Sequence, residues 1–534
     1  MKFLSVVAGV SAAVLATSAA SGAEPDRSTD RIKAHVAFLA DDLMQGREAG
    51  SVGHAIAANY VASQLAQMGV KPGAADGSYF QSVPMSGFRS ADQGRFSIVA
   101  KGGQTTPLVF GEDYLPGRNP LAATTALNTQ MVFVGYGVVA GKRDDYARLD
   151  VRGKIVVALA GAPKTFQTEE RAYYANRRTK RAEAARRGAV GFISVNAPSD
   201  EARQPFANSA RQWQSWGMSW REPSGTPFAP AGTTPELGSI SVKGAAKLFD
   251  GAPKPLAEIY AAAETGAPPR FALPHRLDVA INTELKSLDS VNVVGVIEGA
   301  DPVLKNEVIV LSAHLDHIGV SANPVKGDAI NNGALDNAGG VATTLEVARA
   351  FVGAQAPKRT LLFLLNTAEE KGLVGSEYFA LNPTTRLPIV ANVNLDMPIL
   401  TYDFIDVVAF GAERSSLGAA VSRAGARMGV KLSPDPLPDE GLFTRSDHFR
   451  FVEAGVPSVF LMTGFENGGQ AAFTGFLRDN YHKPSDDLAL PIDYAVGAKF
   501  ARLNYEIVRE IADADQKPAW NKGDFFGELF TRRP

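Results

Sequence analysis

Between His314 and His482 the chain carries five side chains of the oxygen and nitrogen types that bind divalent metal ions. They are His314 in SAHLDHIG, Asp336 in GALDNAGG, Glu370 in TAEEKGLVGS, Asp396 in NVNLDM and His482 in NYHKPSDD. Imidazoles and carboxylates in this number suit two adjacent zinc ions, and Glu369 stands beside them as a carboxylate free to act as a base. Metal-assisted hydrolysis is the chemistry that such a set supports.

The surroundings of each residue sharpen its part. His314 follows the apolar run VIVLSA, and Asp316, two residues on, is placed to orient the second imidazole nitrogen. His317 reads as structural. Asp336 sits in a Gly-flanked loop before a helix. Asn337 is the more natural helix cap there, which leaves Asp336 as the candidate bridge between two cations. Glu369 and Glu370 follow a buried strand, where adjacent carboxylates repel and lose hydration unless a cation compensates. Because neighbouring side chains diverge, Glu370 can bind metal while Glu369 takes a proton from water. In TRSDHFRF, the consecutive Ser446, Asp447 and His448 cannot fold onto one another as nucleophile, base and orienter, and no G-x-S-x-G elbow surrounds Ser446. Asp447 and His448, together with Tyr481 beside His482, read instead as substrate contacts or as supports for the ligands.

The elements that must position these groups alternate. From Ser290 the strand patterns VNVVGVIEG, EVIVLSAH, RTLLFLLNTA and PIVANVNLDM are separated by helical segments such as GGVATTLEVARAFVG and VGSEYFAL. Continuous Val/Ile/Leu strands between amphipathic helices predict an α/β domain with its sheet covered on both faces. His314, Glu369, Glu370 and Asp396 come at the carboxyl ends of strands, the edge where ligands bind in open α/β sheets. Upstream, RIKAHVAFLADDLM and HAIAANYVASQLAQMG predict two helices joined by the turn GREAGSVG. Short strand-like runs follow Lys71. A different module starts near Ala126 with buried-strand patterns in TQMVFVGYGV, GKIVVALAG and VGFISVN, and the Trp- and Pro-rich stretch from Arg211 reads as a long surface loop.

Bulk properties narrow the class. A chain of 534 residues needs two or three domains, and 45% hydrophobic with 21% charged residues is ordinary globular composition. A net charge of -2 gives no basic field for nucleic acid. The absence of cysteine excludes disulfides, thiolate ligands and a cysteine nucleophile, so any metal must be held by His, Asp and Glu. Positions 1–23 combine Lys2, the apolar LSVVAGVSAAVLA and the small-residue Ser21-Gly22-Ala23, which predicts an export signal and a periplasmic or extracellular mature chain. No later stretch is apolar for long enough to span a membrane.

The motifs HLDH, GALDNAGG, AEEKGLVGS, NLDM, SDH and the late His, in this order, resemble the dizinc exopeptidase family that includes secreted bacterial leucyl aminopeptidases and glutamate carboxypeptidases. The likeness runs from Arg31 to Ile511 and takes in FLADDLMQGREAGSVG. It implies a mixed sheet flanked by helices. It also implies two Zn²⁺ ions per chain, one on His314, Asp336 and Asp396 and the other on Asp336, Glu370 and His482, with Glu369 as general base. The implied activity is removal of N-terminal residues from peptides by a bridging-hydroxide mechanism. A carboxypeptidase or dipeptidase on the same scaffold is the main rival, with Arg445 as the motif-adjacent arginine that a substrate carboxylate would need. A glutaminyl cyclase-like transferase and a noncatalytic receptor-like protein are further alternatives. Segment 120–265 resembles an inserted, β-rich protease-associated domain through VFVGYGV, LDVRGKIVVALAG and AARRGAVGFI, which divides the chain into 1–23, 24–119, 120–265 and 266–534.

Overall fold

The computed structural model describes residues 27–531; the expected export signal lies outside them. The two N-terminal helices form as their patterns predict. They are α1 (Ser28–Leu39) and α2 (Val52–Met68). Ser51 starts α2 by accepting from the His54 amide, and Gly69, at φ 82°, ends it in the left-handed conformation that lacks a Cβ penalty.

The central sheet contains β1 (Phe80–Ser90), β2 (Phe271–Ile297), β3 (Val308–His314), β4 (Thr360–Asn366), β5 (Ile389–Leu395) and β6 (Ser458–Thr463). Their spatial order is β1-β2-β4-β3-β5-β6. The last four run parallel, while β1 and β2 are antiparallel to their neighbours and Asp406–Phe410 is antiparallel to β6, so the sheet is mixed as expected. Since β4 and β5, both later in the chain, lie on either side of β3, the connections diverge there and open a crevice at the strands' carboxyl ends.

Period-two alternation sends successive residues to opposite faces. On one face Ile309, Leu311, Ala313, Leu361, Phe363 and Leu365 pack with α1, α2, α3 (Gly339–Val352) and, near the C-terminus, the 20-residue helix Tyr494–Asp513. On the other, Val308, Val310, Leu362 and Leu364 meet Phe379 of α4 (Val374–Leu381) and Phe451 of the short helix α5 (His448–Glu453). Both faces are apolar because both are covered, which is why these strands read as unbroken hydrophobic runs.

A second core forms around another sheet. Its strands Arg95–Val99, Thr124–Phe133, Ile155–Leu159, Gly191–Val195 and Glu236–Ile240 assemble on the first part of β2. Phe96, Ile98, Leu277, Val279 and Ile281 belong to this core, which therefore extends past segment 120–265 on both sides. Strand β2, 27 residues long, serves both sheets: Arg276–Ala280 pairs in the second, and Thr283–Ile297 pairs with β1 and β4 in the first.

One expectation is overturned. The stretch from Arg211 is not all surface loop: Gly217–Trp220 is a strand on the free edge of β1, and Trp220 is buried, stacked on Phe228 and donating its indole N–H to Glu377 at 3.1 Å. Flanking Gly and Pro hid a strand whose partner lies far away in sequence. Among the described residues, no helix is long and apolar enough to cross a membrane.

Phe363 is fully buried at the centre of the main sheet. Phe363→Ala should remove about 3–5 kcal/mol from this core, seen as a shift of its denaturant-unfolding transition; a change well under 1 kcal/mol would show that the site collapses around the cavity.

Candidate metal centre

The crevice at the carboxyl ends of β3, β4 and β5 gathers all five expected ligands. His314, the last residue of β3, places Nε2 3.1 Å from Asp396 Oδ1 and 3.2 Å from Asp336 Oδ1. Glu370 accompanies His482, whose Nε2 lies 3.1 Å from Glu370 Oε2 and 3.5 Å from Asp336 Oδ2. Asp336 therefore stands between two clusters. Donor atoms of His314, Asp336 and Asp396 lie within 4.8 Å of one another, and so do those of His317, Asp336 and Glu370. Nδ1 of His317 and Oε1 of Glu370 are buried 2.7 Å apart without hydrogen-bond geometry, an arrangement that a divalent cation would satisfy. The residues present fit two metal ions sharing one carboxylate.

The electrostatics follow from this crowding. Burial and the neighbouring charges of Glu370, Asp396 and Asp447 raise the Glu369 carboxyl well above its ordinary range, even against His314. Burial also opposes ionisation of Glu370, as does Asp336, yet contacts with His317 and His482 bring its pKa down to about 2. Asp336 is likewise held ionised, against burial, by His314, His317 and His482. Burial works against a charged His314, but Asp396, Glu369 and Asp336 outweigh it and hold the imidazole well above its usual pKa. The imidazoles of His314 and His482 thus hold protons that dications, on binding, would displace.

Asp316 departs from its expected part. It is the Asp316 backbone carbonyl, not the side chain, that accepts from His314 Nδ1 at 3.0 Å. The carboxylate turns away and accepts from the amides of Glu369 at 3.0 Å and Glu370 at 3.4 Å, fixing the turn that presents both glutamates. Spacing placed Asp316 near the site but could not tell backbone from side chain.

The SDH segment divides three ways. Ser446 Oγ donates to Asp396 Oδ2 at 2.6 Å and accepts from Asn394, which in turn accepts from Ser312, itself bonded by Asn392. This buried relay fixes the orientation of the Asp396 carboxylate. Asp447 is fully buried, with a carboxyl pKa raised by burial. His448 does not line the crevice. Its ring lies between Phe443 and Phe460, and burial lowers its pKa to about 3, so the substrate or oxyanion contact expected of it is replaced by packing. Tyr481 does line the crevice and stacks on His482 at 3.8 Å, with its phenol pKa raised by burial and by Asp336, Glu370 and Glu369.

Two supports were not anticipated. Arg47 is buried behind the site and donates to the carbonyls of Leu39, Leu315, Asn332 and Gly333. Asp486 accepts from the amides of Leu335 and Asp336 at 2.9 and 3.0 Å. The signals were present as GREAG and as the carboxylate four residues past His482, yet a turn and a polar loop explained them equally well.

The crevice is a cavity of about 230 Å³, walled by Met397, Leu442, Phe460, Met462, Phe473 and Leu477, with Glu440 and Arg445 on one side. The second unit reaches that side: in helix Thr168–Ala175, Arg171 pairs with Asp439 at 2.5 Å and Glu169 with Arg414 at 2.8 Å.

Sheet order, strand-end donors and a shared carboxylate make this an α/β centre of a kind that could hold two metal ions. Residues 292–508 match the model of Peptidase family M28. A "probable leucine aminopeptidase 2" of Aspergillus oryzae is 30% identical over 233 residues, 40% of this chain and 43% of that protein, so the match spans less than half of the relative's length. A "probable zinc metalloprotease" of Pyrenophora tritici-repentis is 40% identical over 80 residues, 14% of this chain and 18% of that protein. Among solved structures, an aminopeptidase from Aneurinibacillus sp. strain AM-1 has the same fold, with a TM-score of 0.52 and 19% identity over 92% of this chain and 95% of that one.

Two measurements follow. Ser446→Ala should weaken metal binding by about 10–100-fold in chelator competition while secondary structure is retained, because it frees Asp396 from its relay. His54 and His448 are buried as neutral imidazoles with pKa values of about 3, caused by burial and, for His54, also by Arg47. Unfolding returns them to about 6.5, so the unfolded chain binds more protons between those values and stability falls as pH drops through that window. Melting temperatures across it should fall, less steeply in His448→Phe.

Proposed function

We propose that this protein is an exported zinc exopeptidase that removes N-terminal residues from peptides. The observation that carries the reading is the pair of donor clusters sharing Asp336 on the floor of a small apolar cavity. His314, Asp336 and Asp396 would hold one zinc, and Asp336, Glu370 and His482 the other. At about 230 Å³ the cavity is below the ~300 Å³ at which drug-sized pockets begin, which suits one terminal side chain rather than a chain passing through. Its Met, Leu and Phe walls favour an apolar one. Export rests on the leader pattern of positions 1–23. The second unit, read as a protease-associated domain, would bear on substrate access through helix Thr168–Ala175.

When bound, the two ions supply an acidified water and a polarised carbonyl. The chain's own residues do the rest. Glu369 takes the proton of the attacking water and returns it to the departing amine, a task that suits a carboxyl whose affinity for a proton is raised by burial and by its acidic neighbours. The Asp316 carboxylate holds the amides of both glutamates, so that Glu369 faces the cavity and Glu370 the donor cluster. Ser446 keeps Asp396 from rotating. Tyr481, a neutral phenol beside His482, offers an O–H to a substrate oxygen.

Peptides with a free N-terminus should be cleaved and the same peptides with an acetylated N-terminus should not; cleavage governed by a free C-terminus would replace this reading by the carboxypeptidase one, with Arg445 as the anchor. Glu369→Ala should lower kcat by about 10²–10⁴-fold with metal content unchanged. Asp336→Ala should instead lower metal content, measured by elemental analysis.

A further inference from the structure

His317 is the group at this centre that the proposed ligand sets leave unused. It lies three residues after His314, beyond the end of β3, with its ring wholly buried. The backbone fixes it there: the His317 amide donates to the Arg47 carbonyl, and the ring packs on Gly333 at φ +63°, where a Cβ would stand only 2.8 Å from the imidazole. A larger residue at 333 would meet the Asp336 carbonyl at 2.2 Å and the ring at 2.8 Å, so the loop and the ring could not both keep their places.

From that position Nδ1 lies 2.7 Å from Glu370 Oε1 and 3.9 Å from Asp336 Oδ2. His482 approaches the same two carboxylates from the other side, its ring centroid 5.8 Å from that of His317 and the planes 69° apart. Two imidazoles thus flank one pair of carboxylates. Despite the short separation, neither His317 nitrogen nor Glu370 Oε1 makes a directed hydrogen bond. Buried polar atoms are paired in the great majority of cases, and a close but misdirected contact leaves both partners costly. A cation between them satisfies the imidazole lone pair and the carboxylate together, which a proton in this geometry does not.

We propose that His317 is a ligand of the second metal, so that this ion is held by His317, Asp336, Glu370 and His482 while the first is held by His314, Asp336 and Asp396. The proposal rests on the two-metal reading above. Its chemical consequence is asymmetry: the second position carries two imidazoles against one, which favours zinc, copper or nickel over magnesium, manganese or calcium there and makes it the position that gives up its ion last.

The test uses the full chain loaded with zinc. X-ray absorption at the zinc edge, read for imidazole scattering, should give three imidazoles per two ions. His317→Ala should bring this to two and weaken one of the two ions by roughly 100-fold or more in stepwise chelation, the other being unchanged. The cobalt-substituted His317→Ala protein should show stronger visible absorption at that position, as its coordination number falls. Two zinc ions with two imidazoles in the wild-type chain would overturn the proposal and leave the proposed function standing. A wild-type chain that binds no zinc would overturn the proposed function itself. The wild-type absorption measurement decides the matter even if His317→Ala fails to fold.

Discussion

The structure depends on keeping a crowd of carboxylates together out of water. Asp316, Asp336, Glu369, Glu370, Asp396, Asp447 and Asp486 converge at the carboxyl ends of three parallel strands, where mutual repulsion and lost hydration both act against them. Around them the fold sets donors in fixed positions: the amides of Glu369, Glu370, Leu335 and Asp336, the Ser446 hydroxyl, and three imidazoles. Arg47 adds a positive charge behind this layer, and burial brings its pKa down to about 10 even though Asp486, Asp316, Asp336 and Glu370 hold it up. The neighbouring architecture serves this arrangement. Helix α1 and the turn that follows deliver Arg47 to the back of the site, and Gly333 lets the loop ahead of Asp336 approach His317.

Much of this was legible in the sequence because the physics is local. Unbroken apolar runs of seven or so residues announce strands covered on both faces, and a polar residue just after such a run lies at the sheet's functional edge, which placed His314, Glu369, Glu370 and Asp396. His482 and Asp336 were legible from their loops and their company. What could not be read depends on contacts between distant segments. The Asp316 side chain and carbonyl exchange parts according to a turn that spacing does not encode. His448 follows Ser446 and Asp447 so closely that sequence could not separate a buried ring from a crevice-facing one. His317 looked structural because a second histidine three residues on has an ordinary explanation, and only the position of Gly333 brings it against Glu370.

The second unit illustrates the same limit at larger scale. Its strands were recognisable one by one, but nothing local says which sheet a strand joins. Arg95–Val99 precedes the segment that resembled a separate domain and yet pairs within its sheet, while Gly217–Trp220 lies inside that segment and joins the other. Trp220 and Arg178 both hold Glu377 of α4, the helix that follows Glu369 and Glu370, with Arg178 at 2.5 Å. The unit therefore bears on two segments near the crevice, one through Asp439 beside Glu440 and one through Glu377 of α4.

Strand β2 gives this arrangement a further meaning. A cassette that can be lifted out of a protein enters and leaves through loops, so that cutting it free costs only its own contacts. Here the exit from the second unit is the middle of a continuous strand whose Val293 pairs with Leu365 of β4, four residues before Glu369. Such a graft has no seam. One unbroken backbone joins the outer sheet to the sheet that carries the donor clusters, so the two halves of the molecule share a strand where a cassette would have a hinge.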